Sequence, residues 1–381
     1  MADLQARIQA CLDELVASGA ETGLQAAVYA RGRLVADAVS GQADSGTGAA
    51  VTSGTMFFAV SAAKGVAATL AHVLAERGEL DYDLRLASVW PGFAAGGKDR
   101  ITVRHVLAHT AGLPGLPAGT TVTQLCDWEH MCAVLAAATP WWEPGTKFGY
   151  HALTFGFLLG ETLRRLTGRT ISELLRDSVT GPLGVADEVC FAVPPRLLPR
   201  MARRPAGAPE PEQPAAGSPL DRATPPALRD PSAFANRDDV LTADIPSLGT
   251  MTARGAARMY AALLGPVDGV RLVSPSRLAE MSAICFTGPD EVMGFPTQWA
   301  FGYSPARPGG VTTRPGAAFG MIGANGSAAW ADADAGIAVA VLRNGAAPGD
   351  LTAAARTDRL VAGQPEPEPP GQPGQPEQEE R

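Results

Sequence analysis

Alternating apolar and polar positions frame both ends of the chain, and helical periods fill the middle. Leu4, Ile8, Cys11, Leu12, Leu15 and Val16 recur at helical spacing and predict a helix over residues 3–18. Residues 23–30 and 34–40 read as strands, and Arg31-Gly32-Arg33 between them predicts the tight turn of a β-hairpin. A polar loop with Ser45, Gly46, Thr47 and Gly48 leads to an apolar run from Met56 to Val60. The helix that follows is predicted to run to about Arg77 and stop at Gly78. Further helical patterns cover 101–109, 121–138, 152–167 and 170–179, with turn-rich loops at 110–114 and 141–150. From Pro205 to Pro231 the chain is rich in Pro, Ala, Gly and charge, which predicts a mobile loop or insertion. Helices resume at 252–264 and 274–284. Two more strands are predicted at 326–331 and 336–342, then a helix at 351–361. From Gln364 to Arg381 the composition cannot build a core, so this tail is predicted to be disordered.

Strands at the ends with helices between them predict an α/β domain assembled from residues 1–95 and 240–363. An all-helical domain over 96–239 would be inserted into it, and the reactive cleft would lie between the two. Composition agrees, since 46% hydrophobic and 18% charged residues over 381 positions can bury a large core. The net charge of −8 comes without a basic run, which argues against a nucleic-acid partner. The cysteines, Cys11, Cys126, Cys132, Cys190 and Cys285, are odd in number and lack Cys-x-x-Cys spacing, so neither a disulfide framework nor a zinc site is indicated. No stretch has the length and apolarity of a membrane span. The N-terminal segment is amphipathic, without a signal-peptide core, and predicts a cytoplasmic protein. No cofactor is called for, and the oligomeric state is left open.

The one sharp chemical signal is Ser61-Ala62-Ala63-Lys64, where the apolar run meets the helix. Positions i and i+3 share a helix face, so the lysine can reach the serine. A serine hydroxyl needs a base to become a nucleophile. A lysine buried among Phe57, Phe58, Val60, Val66 and Leu70 loses part of its preference for the charged form and can be that base. A backbone N–H at the helix start offers one donor to an oxyanion. The motif occurs once, because of the lysines Lys64, Lys98 and Lys147 only Lys64 has a serine three residues before it. The residues alone leave a second reading open, in which Ser61 caps the helix and Lys64 is solvated. Tyr150, in Gly149-Tyr150-His151, is a candidate proton carrier beside a lysine, or else a core tyrosine.

In combination, Ser61-Ala62-Ala63-Lys64, His109-Thr110-Ala111-Gly112-Leu113-Pro114 and Pro144-Gly145 with Phe148-Gly149-Tyr150 resemble the serine β-lactamase and D,D-peptidase superfamily. Gly160-Glu161 with Thr167-Gly168, Pro182-Leu183-Gly184 and Ile245-Pro246-Ser247 follow in the order and spacing of that superfamily. The nearest branches are class C β-lactamases and family VIII carboxylesterases, and the resemblance covers most of residues 5–362. It implies an antiparallel sheet flanked by helices, built from both chain ends, with the inserted helical domain. It also implies an acyl-enzyme on Ser61, with Lys64 and Tyr150 managing its proton. The third family motif falls at Met321-Ile322-Gly323-Ala324 on a strand edging the site. There Gly323 would let a substrate approach closely, and the N–H of Ala324 would join that of Ser61 in the oxyanion hole.

Two departures shape the expected substrate. Met321 stands where the family usually has a cation or histidine, and Ala152 stands where β-lactamases tend to have asparagine. Both point away from charged β-lactam or peptidoglycan substrates and toward small neutral esters or amides. The alternative is a transacylase of secondary metabolism; a β-lactamase or a non-catalytic binding protein ranks lower. His151 is expected to touch substrate or to cap. His105 and His109 share a helix face, but without the His-Glu-x-x-His glutamate they are not expected to hold a metal. Asn325-Gly326-Ser327 matches a glycosylation sequon, but its place in the site strand counts against that use.

Overall fold

The computed structural model of the protein describes residues 2–305, 307–345 and 348–364. Its centre is a six-stranded antiparallel sheet. The strands in chain order are β1 (Gly23–Ala30), β2 (Arg33–Asp44), β3 (Ala49–Ala50), β9 (Ala318–Ile322), β10 (Ala328–Asp332) and β11 (Ile337–Arg343), taking β4 to β8 as the short strands described below. In space they run β3-β2-β1-β11-β10-β9. The first hairpin therefore docks onto the last strands, with Leu24 opposite Arg343 and Ala30 opposite Ile337.

Period-2 alternation decides which side chains go where. Leu24, Ala26, Val28, Ala328, Trp330, Val339 and Val341 face one layer. There the helices Ala2–Ala17 and Thr352–Val361, the two ends of the fold, bury Ile8, Leu12, Leu15, Ala353 and Leu360. Ala27, Tyr29, Ala329, Ala338, Ala340, Phe319 and Met321 face the opposite layer. That layer contains the helix Ala253–Leu264 and the helix Ala63–Glu76. Gln25 is the polar exception on this inner face: its Oε1 accepts from the Ala253 N–H at 2.9 Å, and its Nε2 donates to the Thr55 carbonyl at 3.0 Å. The sheet is thus tied to the segment that leads to Ser61.

The middle of the chain is helical, but more broken than its periodicity suggests. Residues 121–138 form two helices, Val122–Leu125 and Trp128–Ala137, because Asp127 caps the second through the His130 N–H. Thr154–Thr167 is the long helix, ended by Gly168 at φ 71°. The region expected as all-helical also holds a strand. β5 (Val189–Cys190) pairs with β6 (Thr250–Met251), which pairs with β4 (Phe57–Phe58), so a three-stranded seam runs across the predicted boundary. A second unanticipated element is the hairpin β7 (Phe286–Pro289) and β8 (Pro296–Trp299).

The Pro-rich 205–231 stretch, expected as a mobile loop or insertion, contains the short helices Pro219–Ala223 and Pro226–Leu228 and buries Leu228. The Arg222 guanidinium, 4.5 Å from the Trp141 ring, and the Arg204–Asp230 ion pair link it to residues outside the stretch, and an Arg229–Asp221 pair ties it internally. Of the predicted tail over 364–381, residues 365–381 lie outside the described residues.

Candidate active site

Ser61 sits in a single 3-10 turn, Val60–Ala62, that feeds directly into the helix Ala63–Glu76. Val60 has φ 49°, a left-handed conformation that costs a β-branched residue on the order of 1–3 kcal/mol. The surroundings hold it there. The Ala59 N–H donates to the Gly249 carbonyl at 2.8 Å, and the Ala62 N–H to the Ala59 carbonyl at 3.1 Å. The helix has no side-chain cap, so Ser61 is not spent as an N-cap. Its hydroxyl instead faces Lys64, whose Nζ donates to Ser61 Oγ at 2.8 Å.

Lys64 is fully buried, although lysine rarely is. The apolar neighbours expected to wall it, Phe57, Phe58, Val60, Val66 and Leu70, are all buried. Nζ has one further oxygen, the Ser247 carbonyl at 3.3 Å. Among the described residues no carboxylate forms an ion pair with it. Burial therefore acts unopposed and pushes the amine down to about 7. Ser247 also organises the neighbouring helix: its Oγ donates to the Leu153 carbonyl and accepts from the Gly156 N–H, both at 2.7 Å.

The Tyr150 ring lies 5.1 Å from Lys64 Nζ, and its phenol faces the Ser61 side chain. The Ser61 contact favours the phenolate, but burial and the Asp290 carboxylate outweigh it and hold the phenol well above its ordinary value. Tyr150 is thus a neutral phenol beside an amine that titrates near neutrality. Three neighbours fix its loop. The His109 ring, on a backbone at φ 55°, lies tilted at 4.9 Å from the Tyr150 ring, and its Nδ1 accepts from the His151 N–H at 2.9 Å. Trp299 meets the ring edge-on at 5.9 Å. Asp290 Oδ1 accepts from the Tyr150 N–H at 3.2 Å.

Of the two roles expected of His151, substrate contact or capping, its contacts favour the second. Its ring is 1% exposed, with Nδ1 2.6 Å from the Gly149 carbonyl and Nε2 accepting from the Leu113 N–H at 3.0 Å. Both nitrogens are engaged by backbone, and burial pushes the imidazole down to about 4. It is a neutral brace between two loops rather than a substrate contact. His105 is likewise engaged, since its Nδ1 accepts from the Thr102 N–H in a capping box. Among the described residues no three His, Cys, Asp or Glu side chains cluster to hold a metal.

The third piece closes the site from the sheet edge. A Cβ on Gly323 would fall 2.4 Å from the Ala59 carbonyl oxygen and 2.8 Å from Asn325 Oδ1. Glycine is needed there so that this turn can press against the nucleophile segment, a closer constraint than the substrate approach expected of it. Asn325 Nδ2 donates to the Phe58 carbonyl at 2.9 Å and completes the clamp. The adjoining Ala324 is exposed. Met321, by contrast, is 3% exposed and packs toward Gly65, where an added Cβ would meet Met321 Cγ at 3.3 Å. The third-motif position thus presents no charge.

The structure therefore gathers Ser61, Lys64 and Tyr150 at one point and brings the 323–325 turn against the nucleophile segment. Sequence reasoning gave no role to Asp290 or to the Ser247 carbonyl. Ser247 was visible as part of an ordered motif. Asp290 follows Gly288-Pro289, a turn signal without a chemical one.

A serine hydroxyl, a buried amine and a phenol arranged in this way define an acyl-transferring serine enzyme of the Ser-x-x-Lys type. The profile of the Beta-lactamase family matches residues 8–363, and the chain belongs to that family. It is 35% identical over 338 residues to the Esterase/beta-lactamase LipL of Mycobacterium tuberculosis (strain ATCC 25618 / H37Rv), an alignment covering 84% of this chain and 76% of the relative. Among solved structures, a family VIII carboxylesterase superposes with a TM-score of 0.82 at 31% identity, covering 93% of this chain and 97% of the other. A penicillin-binding protein homologue from Caulobacter crescentus superposes with a TM-score of 0.80 at 34% identity, covering 94% and 96%. The chain is a serine hydrolase or acyltransferase of this family, with the β-lactamase/transpeptidase-like fold. No helix among the described residues is long and apolar enough to cross a membrane.

Proposed function

We propose that the protein is an esterase that acts on small neutral esters through an acyl-Ser61 intermediate. The observation that carries this reading is the 2.8 Å contact between Ser61 Oγ and the buried amine of Lys64. In its neutral form Lys64 accepts the Ser61 proton as Oγ attacks the ester carbonyl. The backbone N–H groups of Ser61 and Ala324 receive the oxyanion of the tetrahedral intermediate. Its collapse breaks the bond to the alkoxy oxygen, which takes a proton from the Lys64–Tyr150 pair and leaves as the alcohol. Water then attacks the acyl carbonyl, the same pair takes its proton, and the acid departs as Ser61 is restored.

Neutral substrates follow from Met321, an apolar and buried side chain where a charged partner would otherwise greet a substrate carboxylate. The relative named an esterase and β-lactamase, and the structural neighbour that is a carboxylesterase, support ester hydrolysis. The test is intact-protein mass after incubation with a fluorophosphonate, alongside turnover of p-nitrophenyl acetate. A single adduct on the wild type, none on Ser61→Ala and slow labelling of Lys64→Ala are expected. An unlabelled, folded wild type would sink the reading. Nitrocefin is expected to turn over far more slowly than the ester. Product analysis with an added amine separates hydrolysis from transacylation, and free acid as the dominant product is the expected result.

A further inference from the structure

The hairpin β7–β8 grips the tyrosine loop from two sides. On the backbone side Asp290, 4% exposed, turns one carboxylate oxygen toward three N–H groups. Oδ1 accepts from Val292 at 2.8 Å and Met293 at 3.0 Å, which closes the hairpin tip, and from Tyr150 at 3.2 Å, which reaches across to the site. The Glu291 N–H donates to the Phe148 carbonyl at 3.0 Å and extends the join. On the ring side Trp299, at the other end of the hairpin, lies 4.9 Å from His109 and 5.9 Å from Tyr150, with its Nε1 donating to the Leu107 carbonyl at 3.2 Å. Phe286 stacks on Phe148 at 5.0 Å.

We propose that Asp290 is a positioning residue for acyl transfer: by holding the Tyr150 backbone to the hairpin, it sets the phenol against Ser61. Asp290 closes its own turn with two of its contacts, and only the third serves Tyr150. A buried carboxylate with three N–H donors is a stiff anchor, because charge-assisted hydrogen bonds are roughly twice as strong as neutral ones. Its negative charge also disfavours a second one on the phenol. The titratable groups around Tyr150 are Lys64 from the nucleophile helix, His109 from the preceding loop, its neighbour His151 and Asp290 from the hairpin. The Lys147–Glu291 ion pair lies at the surface, at 3.5 Å. A misplaced proton carrier lowers the rate of chemistry while leaving substrate affinity nearly intact.

The inference rests on the role given to Tyr150 in the proposed mechanism, and a double-mutant cycle separates the two. Ester turnover and thermal midpoint are measured for wild type, Asp290→Ala, Tyr150→Phe and the double variant. Asp290→Ala is expected to lower kcat by about tenfold or more with KM within about twofold. In the Tyr150→Phe background the same change is expected to cost less than about twofold, because nothing is left to position. Asp290→Asn keeps an acceptor oxygen and is expected to restore most of kcat. If Asp290→Ala does not fold, Asp290→Ser replaces it in the cycle, since a short hydroxyl can still close the turn but falls short of the Tyr150 N–H. A full, additive loss in the Tyr150→Phe background overturns the proposal while leaving the mechanism intact, as does an unchanged kcat for Asp290→Ala. A Tyr150→Phe variant with wild-type kcat overturns both.

Discussion

The carbonyl oxygen of Ser247 stands 3.3 Å from Nζ of Lys64, so the buried amine is met by a dipole rather than by an anion. A carboxylate at that point would favour the ammonium and restore the ordinary lysine value. A carbonyl does so far less, and Lys64 stays poised near neutrality.

The pH dependence of acylation follows directly. Only the neutral amine accepts the Ser61 proton, so kcat/KM for an ester is expected to rise with pH through a midpoint near 7, the value to which burial brings Lys64. A pH–rate profile of wild type checks this. A flat profile between pH 6 and 8.5 would remove Lys64 from the role of base.

The same burial has a cost in stability. The unfolded chain binds a proton at Lys64 up to its ordinary 10.5, the folded chain only up to about 7, so stability falls as pH drops from 10.5 to 7 and is level below that. The difference amounts to about 5 kcal/mol at most, at about 1.4 kcal/mol per unit. Lys64→Met is expected to abolish turnover while raising the thermal midpoint at pH 7. The gain should shrink as the pH approaches 10, as denaturation at the two pH values can show.

Tyr150→Phe removes the hydroxyl but keeps the ring that His109 and Trp299 pack against. The expected loss in kcat is about 10²- to 10⁴-fold, the usual range for a general acid or base. The thermal midpoint should hardly move, and the limb near pH 7 should persist because it belongs to Lys64.

Gly323→Ala would place a methyl 2.4 Å from the Ala59 carbonyl oxygen, a contact that backbone must yield to. The 323–325 turn would shift, and the Ala324 N–H with it. Loss of one oxyanion donor costs about 10²- to 10³-fold, so a fall in kcat of about 10²-fold is expected with the fold retained. Near-wild-type turnover in a folded variant would exclude this turn from oxyanion binding.

Buried histidines, His72, His109 and His151, weaken the fold in acid, and burial lowers the pKa of all three. His72 and His151 are both held down at about 4 by burial, below the ordinary 6.5. Each contributes fully above pH 6.5, and its contribution is lost as pH falls from 6.5 toward 4, at up to about 1.4 kcal/mol per unit. Urea midpoints should therefore drop steeply between pH 6.5 and 4.5, and His151→Gln should make that slope shallower.

Much of the frame was legible where a period was long enough to see. The first hairpin, the helix that stops at Gly78 and the final strands follow from alternation and from punctuation by glycine. The pair Ser61 and Lys64 was legible because three residues of helix fix their separation. Other parts left no such trace. β4, β5 and β6 span two residues each, too few to show a period. β7 and β8 contain Pro289 and Pro296, which count against a strand in any sequence reading. The orientation of His151 was illegible for a different reason. Whether an imidazole faces a cleft or a pair of backbone groups depends on Leu113 and Gly149, and only the folded loops bring these to it. The left-handed Val60 is likewise imposed by tertiary contacts against the residue's own preference.

The pairing of β1 with β11 also says something about synthesis. Leu24 leaves the ribosome early and its partner Arg343 near the end, so the sheet that backs the nucleophile helix cannot close on a growing chain. Ser61 and Lys64 are translated early, and the Ser247 carbonyl, the Asp290 anchor and the 323–325 turn emerge one after another well behind them. A chain cut short before β11 lacks the partner strand of β1 and, under the proposed mechanism, is expected to be inactive.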